Sequence, residues 1–232
     1  MKYLLILLMP AFALASGNDS PANGKISAAA DLSIIWTYSF KAETEKNYDE
    51  ALRQTAAFLN GGGDRYTATL RAAWLHYLKA DYLTAASNYA SAARLQTSAI
   101  TPLIGLLNTT IATGDQAKIS QAAESIIKLE PSNYRAQMAL ASVSYSALDY
   151  RRANTIYRRV LLFYPEDMEA ISGAAWSALN IAQKKEALDG FRKLLSVNHE
   201  YPRAQQGYEM AASLTAGMST PAKYTASARF AH

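Results

Sequence analysis

The chain has 232 residues, of which 50% are hydrophobic and 18% are charged; its formal net charge is +4, and it contains no cysteine. This composition supplies ample apolar material for a core and excludes a globally disordered protein. So small a charge excess does not indicate a nucleic-acid partner, and the absence of cysteine excludes thiolate metal sites and thiol nucleophiles.

Residues 1–15 predict a secretory signal. Lys2 supplies the charged start, residues 3–14 form an apolar run, and Ala13-Leu14-Ala15 offers a small-x-small cleavage site before Ser16. A run of about 12 residues is too short to span a bilayer, which takes roughly 20; an uncleaved anchor is the alternative. Because no cysteine is present to carry a lipid, we expect an exported protein that is periplasmic or peripheral to an envelope complex.

A period of 34 residues follows a polar linker at residues 16–27. Helical periodicity begins near Ala28, and five blocks run from Leu32 without insertion or deletion. The blocks are residues 32–65, 66–99, 100–133, 134–167 and 168–201. We number the places in each block from 1 to 34. Place 20 carries Ala51, Ala85, Ile119, Ala153 and Ala187. Place 17 carries Tyr48, Tyr82, Gln116, Tyr150 and Lys184, preceded by Asn47, Asp81, Asp115, Asp149 and Gln183.

Small and aromatic residues at fixed places in a 34-residue period resemble the tetratricopeptide repeat, a helix–turn–helix unit. The resemblance covers residues 32–201 and implies an all-α fold, a right-handed superhelical solenoid. It also implies that paired helices cross at small residues such as Ala141 and Ala153. Tyr157 and Phe163 are then expected to fill the space between neighbouring repeats.

Some blocks depart from the family pattern. Thr55 stands where an aromatic residue is usual, Ile119 replaces the small residue at the crossing, and His199 stands in place of proline. Atypical terminal repeats are expected in a solenoid, because an end repeat has only one neighbour. The fourth block carries a basic cluster, Arg151, Arg152, Arg158 and Arg159. A solvated helix face and a basic binding face both explain it.

The C-terminal region divides into a helix and a tail. Residues 202–214 show helical spacing and predict a capping helix on the fifth repeat, which completes a solenoid domain over residues 28–216. In the tail, residues 217–232, apolar and polar residues alternate from Tyr224 to Phe230. Both a disordered tail and a strand that pairs with a partner's sheet fit this pattern.

No pattern of residues indicates catalysis. His76, His199 and His232 are scattered and have no further ligand at metal-binding spacing. Gly61-Gly62-Gly63 lacks the lysine and hydroxyl residue of a phosphate-binding loop, and no serine has the neighbours of a nucleophile elbow. We therefore expect a non-enzymatic protein without a cofactor or a metal.

The tryptophans indicate a binding surface. In a stack of helix pairs the first helix of each pair lines the concave side, and Trp36, Trp74 and Trp176 fall on the groove-facing side of such helices. Tryptophan and tyrosine combine large contact area with few rotatable bonds. The predicted groove residues are Trp36, Phe40, Leu70, Arg71, Trp74, Tyr77, Ile104, Asn108, Ile111, Met138, Tyr145, Trp176, Leu179 and Asn180. Packing against neighbouring helices is the alternative for any single tryptophan.

The resemblance also bears on the polar residues of the groove. Asn108 stands where members of the family often hold the backbone of a bound peptide with an asparagine. The basic residues with which some members clamp a free carboxyl terminus are not present as a set, since Arg71 and Arg135 are two repeats apart. An extended or helical segment with apolar side chains is the expected ligand.

These features predict a scaffold or adaptor of the bacterial cell envelope that binds a segment of another envelope protein in its concave groove. No nucleic acid is expected as a partner, and no later stretch of the chain is apolar enough to span a membrane. An accessory role in polysaccharide export or cell-wall handling is the alternative, since aromatic surfaces also stack on sugar rings. Self-association through end-to-end stacking of repeats is a third hypothesis.

Overall fold

The computed structural model describes residues 26–214, with side chains described from residue 31. Within this range the chain forms eleven α-helices and no β-strand, which confirms the predicted all-α fold. The predicted signal, the linker up to Lys25 and the predicted tail lie outside the described residues. Among residues 26–214, no helix combines the length and the hydropathy that a membrane span requires.

The helices pair in chain order along the repeats. They are α1 (Ile26–Thr44), α2 (Tyr48–Asn60), α3 (Arg65–Leu78), α4 (Tyr82–Leu95), α5 (Thr101–Thr113), α6 (Gln116–Leu129), α7 (Tyr134–Ser146), α8 (Tyr150–Phe163), α9 (Met168–Asn180), α10 (Lys184–Val197) and α11 (Ala204–Ser213). Each helix packs on the next, and the main contacts between non-consecutive helices join α3 to α5, α7 to α9 and α9 to α11. The odd-numbered helices therefore form the inner layer and the even-numbered helices the outer layer.

The residue before each second helix determines where that helix begins. All five outer helices start at place 17, and the side chains of Asn47, Asp81, Asp115 and Asp149 at place 16 cap four of them. Each accepts a hydrogen bond, 3.1–3.2 Å long, from the backbone N–H three residues later. Short polar side chains at this position satisfy an N–H group that the helix leaves without a partner. Gln183 makes no such bond.

The turn between the paired helices has the same backbone form in every repeat. Place 15 is left-handed in all five, with φ between 58° and 74° at Lys46, Ala80, Gly114, Leu148 and Ala182. The N–H of the following residue returns to the carbonyl five residues earlier in four of these turns. This pattern ends a helix sharply. A residue with a β-carbon is strained in this conformation, whereas glycine is not. The third repeat has glycine here, Gly114, and the other four repeats carry the strain.

At most of the junctions between repeats, one bulky side chain packs against a small residue of the neighbouring repeat. At three of the junctions an aromatic residue at place 24 packs against a glycine at place 6 of the next block. The three pairs are Tyr89 with Gly105, Tyr157 with Gly173, and Phe191 with Gly207. A β-carbon on any of these glycines would lie less than 3 Å from the ring. The aromatic rings are buried, with 0–4% of their surface exposed, which confirms the prediction for Tyr157.

The other two junctions carry different residues at places 24 and 6. Between the third and fourth repeats the two places carry Ala123 and Ala139, so a small residue replaces the ring and a β-carbon becomes tolerable. Between the first and second repeats they carry Thr55 and Arg71, so the bulk comes from the opposite side. The five junctions therefore use three kinds of pairing at these two places, and the Ala123–Ala139 pair supplies the least side-chain bulk.

The prediction that Phe163 fills the space between repeats is wrong. Its side chain is 58% exposed, and it is the last residue of α8. The residues at the same place, Leu95, Leu129 and Val197, also end their helices and are 44–64% exposed. Place 30 therefore lies at the edge of the stack, beyond the part of the helix that the next repeat covers.

We predict that the cost of a β-carbon at Gly173 depends on the ring of Tyr157. Gly173→Ala should lower the free energy of unfolding by about 1–3 kcal/mol, because a packed ring must move. In a Tyr157→Ala background the same change should be neutral or stabilising, since alanine favours a helix over glycine by about 1 kcal/mol. Urea unfolding of the four proteins measures this cycle. Equal costs in both backgrounds would contradict the fit.

Candidate functional site

The centre of the inner layer carries one side chain from each repeat. Place 9 holds Phe40, Trp74, Asn108, Ser142 and Trp176, on α1, α3, α5, α7 and α9 respectively, and all five are at least partly exposed. Because they occupy the same place on successive inner helices, they form a row, which we call the inner row. It is aromatic at both ends and polar in the middle.

The N-terminal end of the inner row is an aromatic cluster. The Trp36 ring lies 4.5 Å from Phe58 and 5.7 Å from Phe40, measured between centroids. The Trp74 ring stacks on Tyr77 at 5.8 Å with an interplanar angle of 17°. These rings thus bury part of their surface against one another. Trp36, Trp74 and Tyr77 nevertheless remain partly exposed, and Phe40 is 36% exposed.

The prediction that Arg71 lies in the open groove is wrong. Its side chain is buried between the first two repeats, where Nε and Nη2 donate to Oγ and the carbonyl oxygen of Ser39 at 3.1 and 3.0 Å. It also forms an ion pair with Glu43 and covers the Phe40 ring at 3.9 Å. Burial lowers the pKa of Arg71, and the Glu43 carboxylate opposes that change. Arg71 can be buried here because place 24 of the first repeat is Thr55. The small threonine leaves open the space that an aromatic ring fills at three other junctions.

Glu43 links this buried arginine to the inner row. One carboxylate oxygen pairs with Arg71, and the other accepts a hydrogen bond from the Trp74 indole Nε1–H at 2.8 Å. The orientation of Trp74 therefore depends on a polar network in the interface between repeats. Glu43 was not among the predicted groove residues, although it shares place 12 with Tyr77 and Ile111.

The middle of the inner row is less aromatic. Ile104 and Ile111 pack against the main core cluster and are partly exposed, on either side of Asn108. The Oδ1 atom of Asn108 is buried and has no hydrogen-bond partner among residues 26–214. A buried acceptor without a donor costs about 1–3 kcal/mol.

The C-terminal end is built around Trp176. Its ring packs edge-on against Phe191 at 5.0 Å, and the guanidinium of Arg203 lies 4.7 Å from the ring centroid. Asn180 Nδ2 donates to the Trp176 carbonyl at 2.9 Å and to the Tyr145 hydroxyl at 3.3 Å. Burial raises the pKa of Tyr145 to about 12, so its phenol stays neutral. Arg203, which precedes the capping helix, is a contact that the sequence pattern did not reveal.

Several predicted groove residues lie in the core instead. Leu70, Met138, Tyr145 and Leu179 share the inner stripe, but only 1–8% of their surface is exposed. They support the groove from beneath and offer a ligand little area. No group of three histidines, cysteines or acidic residues within 26–214 is placed to hold a metal ion.

The fold is shared with solved structures. No family model matches the chain, and no curated protein sequence matches it. A tetratricopeptide repeat protein from Parabacteroides merdae is 14% identical, with a TM-score of 0.66 over 78% of this chain and 72% of that one. MamA is 16% identical, with a TM-score of 0.63 over 76% of this chain and 96% of MamA. The chain has the fold of a tetratricopeptide repeat protein.

A further structure with this fold is YrrB, described as a tetratricopeptide repeat protein with an unusual peptide-binding site. It is 13% identical and has a TM-score of 0.62, with 80% of this chain and 98% of YrrB covered. At such identities the similarity establishes the solenoid of helix pairs. It leaves the ligand of the inner row to be argued from this chain's own residues.

We predict that Arg71 is a structural residue of the first junction. Arg71→Ala should cost at least about 2 kcal/mol of unfolding free energy, because it leaves the buried Ser39 carbonyl and the half-buried Glu43 carboxylate without the guanidinium. The exposed Arg135, on inner helix α7, is the matched control, and Arg135→Ala should cost less than about 0.5 kcal/mol. In hydrogen–deuterium exchange, Arg71→Ala should expose amides of α1 and α2 before those of α8 and α9. Equal effects of the two variants would contradict this role.

Proposed function

We propose that the protein is a non-enzymatic scaffold that binds a segment of a partner protein along the inner row. The supporting observation is the inner row itself, in which at least partly exposed aromatic residues at both ends flank the partly exposed Asn108 and Ser142. Aromatic rings offer area for apolar side chains, and the polar residues between them offer hydrogen-bonding groups to a peptide backbone. YrrB, which shares the fold, is described as having a peptide-binding site.

The spacing of the row limits the length of the segment. Trp74 and Trp176 occupy the same place three repeats apart. With neighbouring inner helices about 8–10 Å apart, the two rings are separated by on the order of 24–30 Å. An extended chain covers that distance with about seven to nine residues. The ligand we propose is therefore a short extended segment with apolar side chains near both ends.

We also propose that the scaffold works in the bacterial cell envelope, in the periplasm or at the edge of an envelope complex. The charged start, short apolar run and small-residue cleavage site of residues 1–15 support export. The absence of cysteine suits a fold stabilised by packing alone.

The groove is tested by in-cell crosslinking from a photoreactive residue at position 74, with position 163 as the control. Phe163 is an exposed aromatic residue at the edge of the stack, away from the inner row. We expect one discrete partner from position 74 and none from position 163. Trp74→Ala and Trp176→Ala should each weaken binding of the captured segment at least tenfold, because buried aromatic anchors dominate interfaces. Phe163→Ala should change it less than twofold.

Circular dichroism of each variant checks that the loss of binding is not a loss of fold. Unchanged binding by both folded tryptophan variants would contradict the groove. The carbohydrate alternative predicts a different result, binding of glycans in place of a peptide. Soluble peptidoglycan fragments or exported polysaccharide would then shift the tryptophan fluorescence in a saturable way that Trp74→Ala removes, and no peptide would compete.

Export is tested by expressing the chain with its own leader in a Gram-negative bacterium. We expect the protein in the periplasmic fraction, with Ser16 as the first residue found by N-terminal sequencing, because signal peptidase requires small residues before the cut. Replacing Ala13 and Ala15 by Glu should leave residues 1–15 attached. A cytoplasmic, uncleaved wild-type protein would contradict the proposed location.

A further inference from the structure

A crevice opens on the outer layer between α8 and α10, on the side away from the inner row. Its volume is about 850 Å³. Leu161 of α8 and Ile171, Ala174 and Ala175 of α9 give it an apolar floor. Leu162, which is 79% exposed, stands at its rim.

The crevice exists because α10 lacks a side chain at the point where α8 has one. Place 23 is Gly190 in α10, and the corresponding residue of α8 is Ile156, which is only 6% exposed. A β-carbon on Gly190 would lie 2.7 Å from the β-carbon of Ala175. Helix α10 therefore lies close against α9 and leaves the space beside α8 open.

The two helices that flank the crevice carry an excess of positive charge that the rest of the fold lacks. Together α8 and α10 hold eight lysines and arginines against two acidic residues, a net charge of +6. Residues 26–214 as a whole carry 19 basic and 18 acidic residues, a net charge of +1. The rest of the described chain is therefore net negative. Four of the eight cations line the crevice itself, Arg158, Lys184, Lys185 and Lys193, together with both acidic residues, Glu186 and Asp189, which leaves the lining with a net charge of +2.

Two of the cations that line the crevice are not engaged by strong internal contacts. Lys184 donates to the carbonyl oxygens of Ala212 and Leu214, and Lys193 pairs with Glu166 at 3.0 Å. In contrast, Arg158 Nε lies 3.6 Å from Glu186, and Lys185 makes no hydrogen bond or ion pair within the described part of the chain. Arg158 and Lys185 are thus available to a ligand above an apolar floor.

We propose that this crevice binds an acidic segment of a second partner protein, with apolar side chains on the floor and carboxylates against Arg158 and Lys185. Charge complementarity selects an acidic partner, and a concave crevice between two helices accepts side chains better than a flat bilayer surface. Since the inner row lies on the opposite layer, the two sites would let one chain bridge two partners.

Fluorescence anisotropy with synthetic peptides tests the crevice. The probes are fluorescein-labelled decapeptides with four glutamates and two leucines or phenylalanines three or four residues apart, and the same peptides with lysine in place of glutamate. Two matched pairs of variants separate the crevice from the general surface. Arg158→Glu and Arg159→Glu make the same charge change, but only Arg158 lines the crevice. Leu162→Asp and Leu83→Asp alter leucines that are 79% and 81% exposed, but only Leu162 lines it.

We expect at least one acidic peptide to bind, with affinity that falls at least tenfold in Arg158→Glu and Leu162→Asp and less than threefold in Arg159→Glu and Leu83→Asp. The lysine peptides should not bind. Trp74→Ala should leave the binding of the acidic peptide unchanged, so this experiment tests the crevice independently of the groove. Equal losses in Arg158→Glu and Arg159→Glu would reduce the binding to non-specific charge attraction and overturn the proposal. So would the absence of any bound peptide. In a parallel arm with phosphatidylglycerol vesicles, binding to the vesicles and to none of the peptides would also overturn it.

Discussion

The whole structure depends on how one repeat fits into the next. A ring at place 24 needs a residue without a β-carbon at place 6 of the following block, and three of the five junctions meet that need with glycine. The fit fixes the angle and stagger between successive pairs, and a period of 34 without insertions then brings equal places into line. Only because of this alignment do five side chains from five helices form a single row.

The first junction meets the same requirement with charge instead of a ring, and this couples scaffold and groove. Arg71 fills the space next to Thr55, and its partner Glu43 also holds the indole of Trp74. Buried ion pairs add little net stability but penalise any rearrangement that separates them. The N-terminal end of the inner row is therefore ordered by the junction beneath it. At the other end, Arg203 and Asn180 play a comparable part around Trp176.

Periodicity in the sequence predicts which face of a helix a residue lies on, but it does not predict how deeply the side chain is buried. The starts of the outer helices follow from the residues at places 16 and 17, because capping is a local interaction. Whether Leu70 or Leu179 is exposed depends on the neighbouring repeat, and both are buried. Arg71 was misplaced because its direction is decided by Thr55, sixteen residues earlier. The crevice was missed for the same reason, since Gly190 and Leu161 come together only across two helices.

Fluorine NMR gives the most direct test that one ligand covers one continuous inner row. The chain has three tryptophans, so 5-fluorotryptophan labelling gives three resonances, and Phe163→Trp adds a reference at the edge of the stack. With a soluble gadolinium chelate present, the bound segment should protect the Trp74 and Trp176 resonances together and leave the reference unprotected. Protection of only one of the two, or equal protection of the reference, would contradict a single groove.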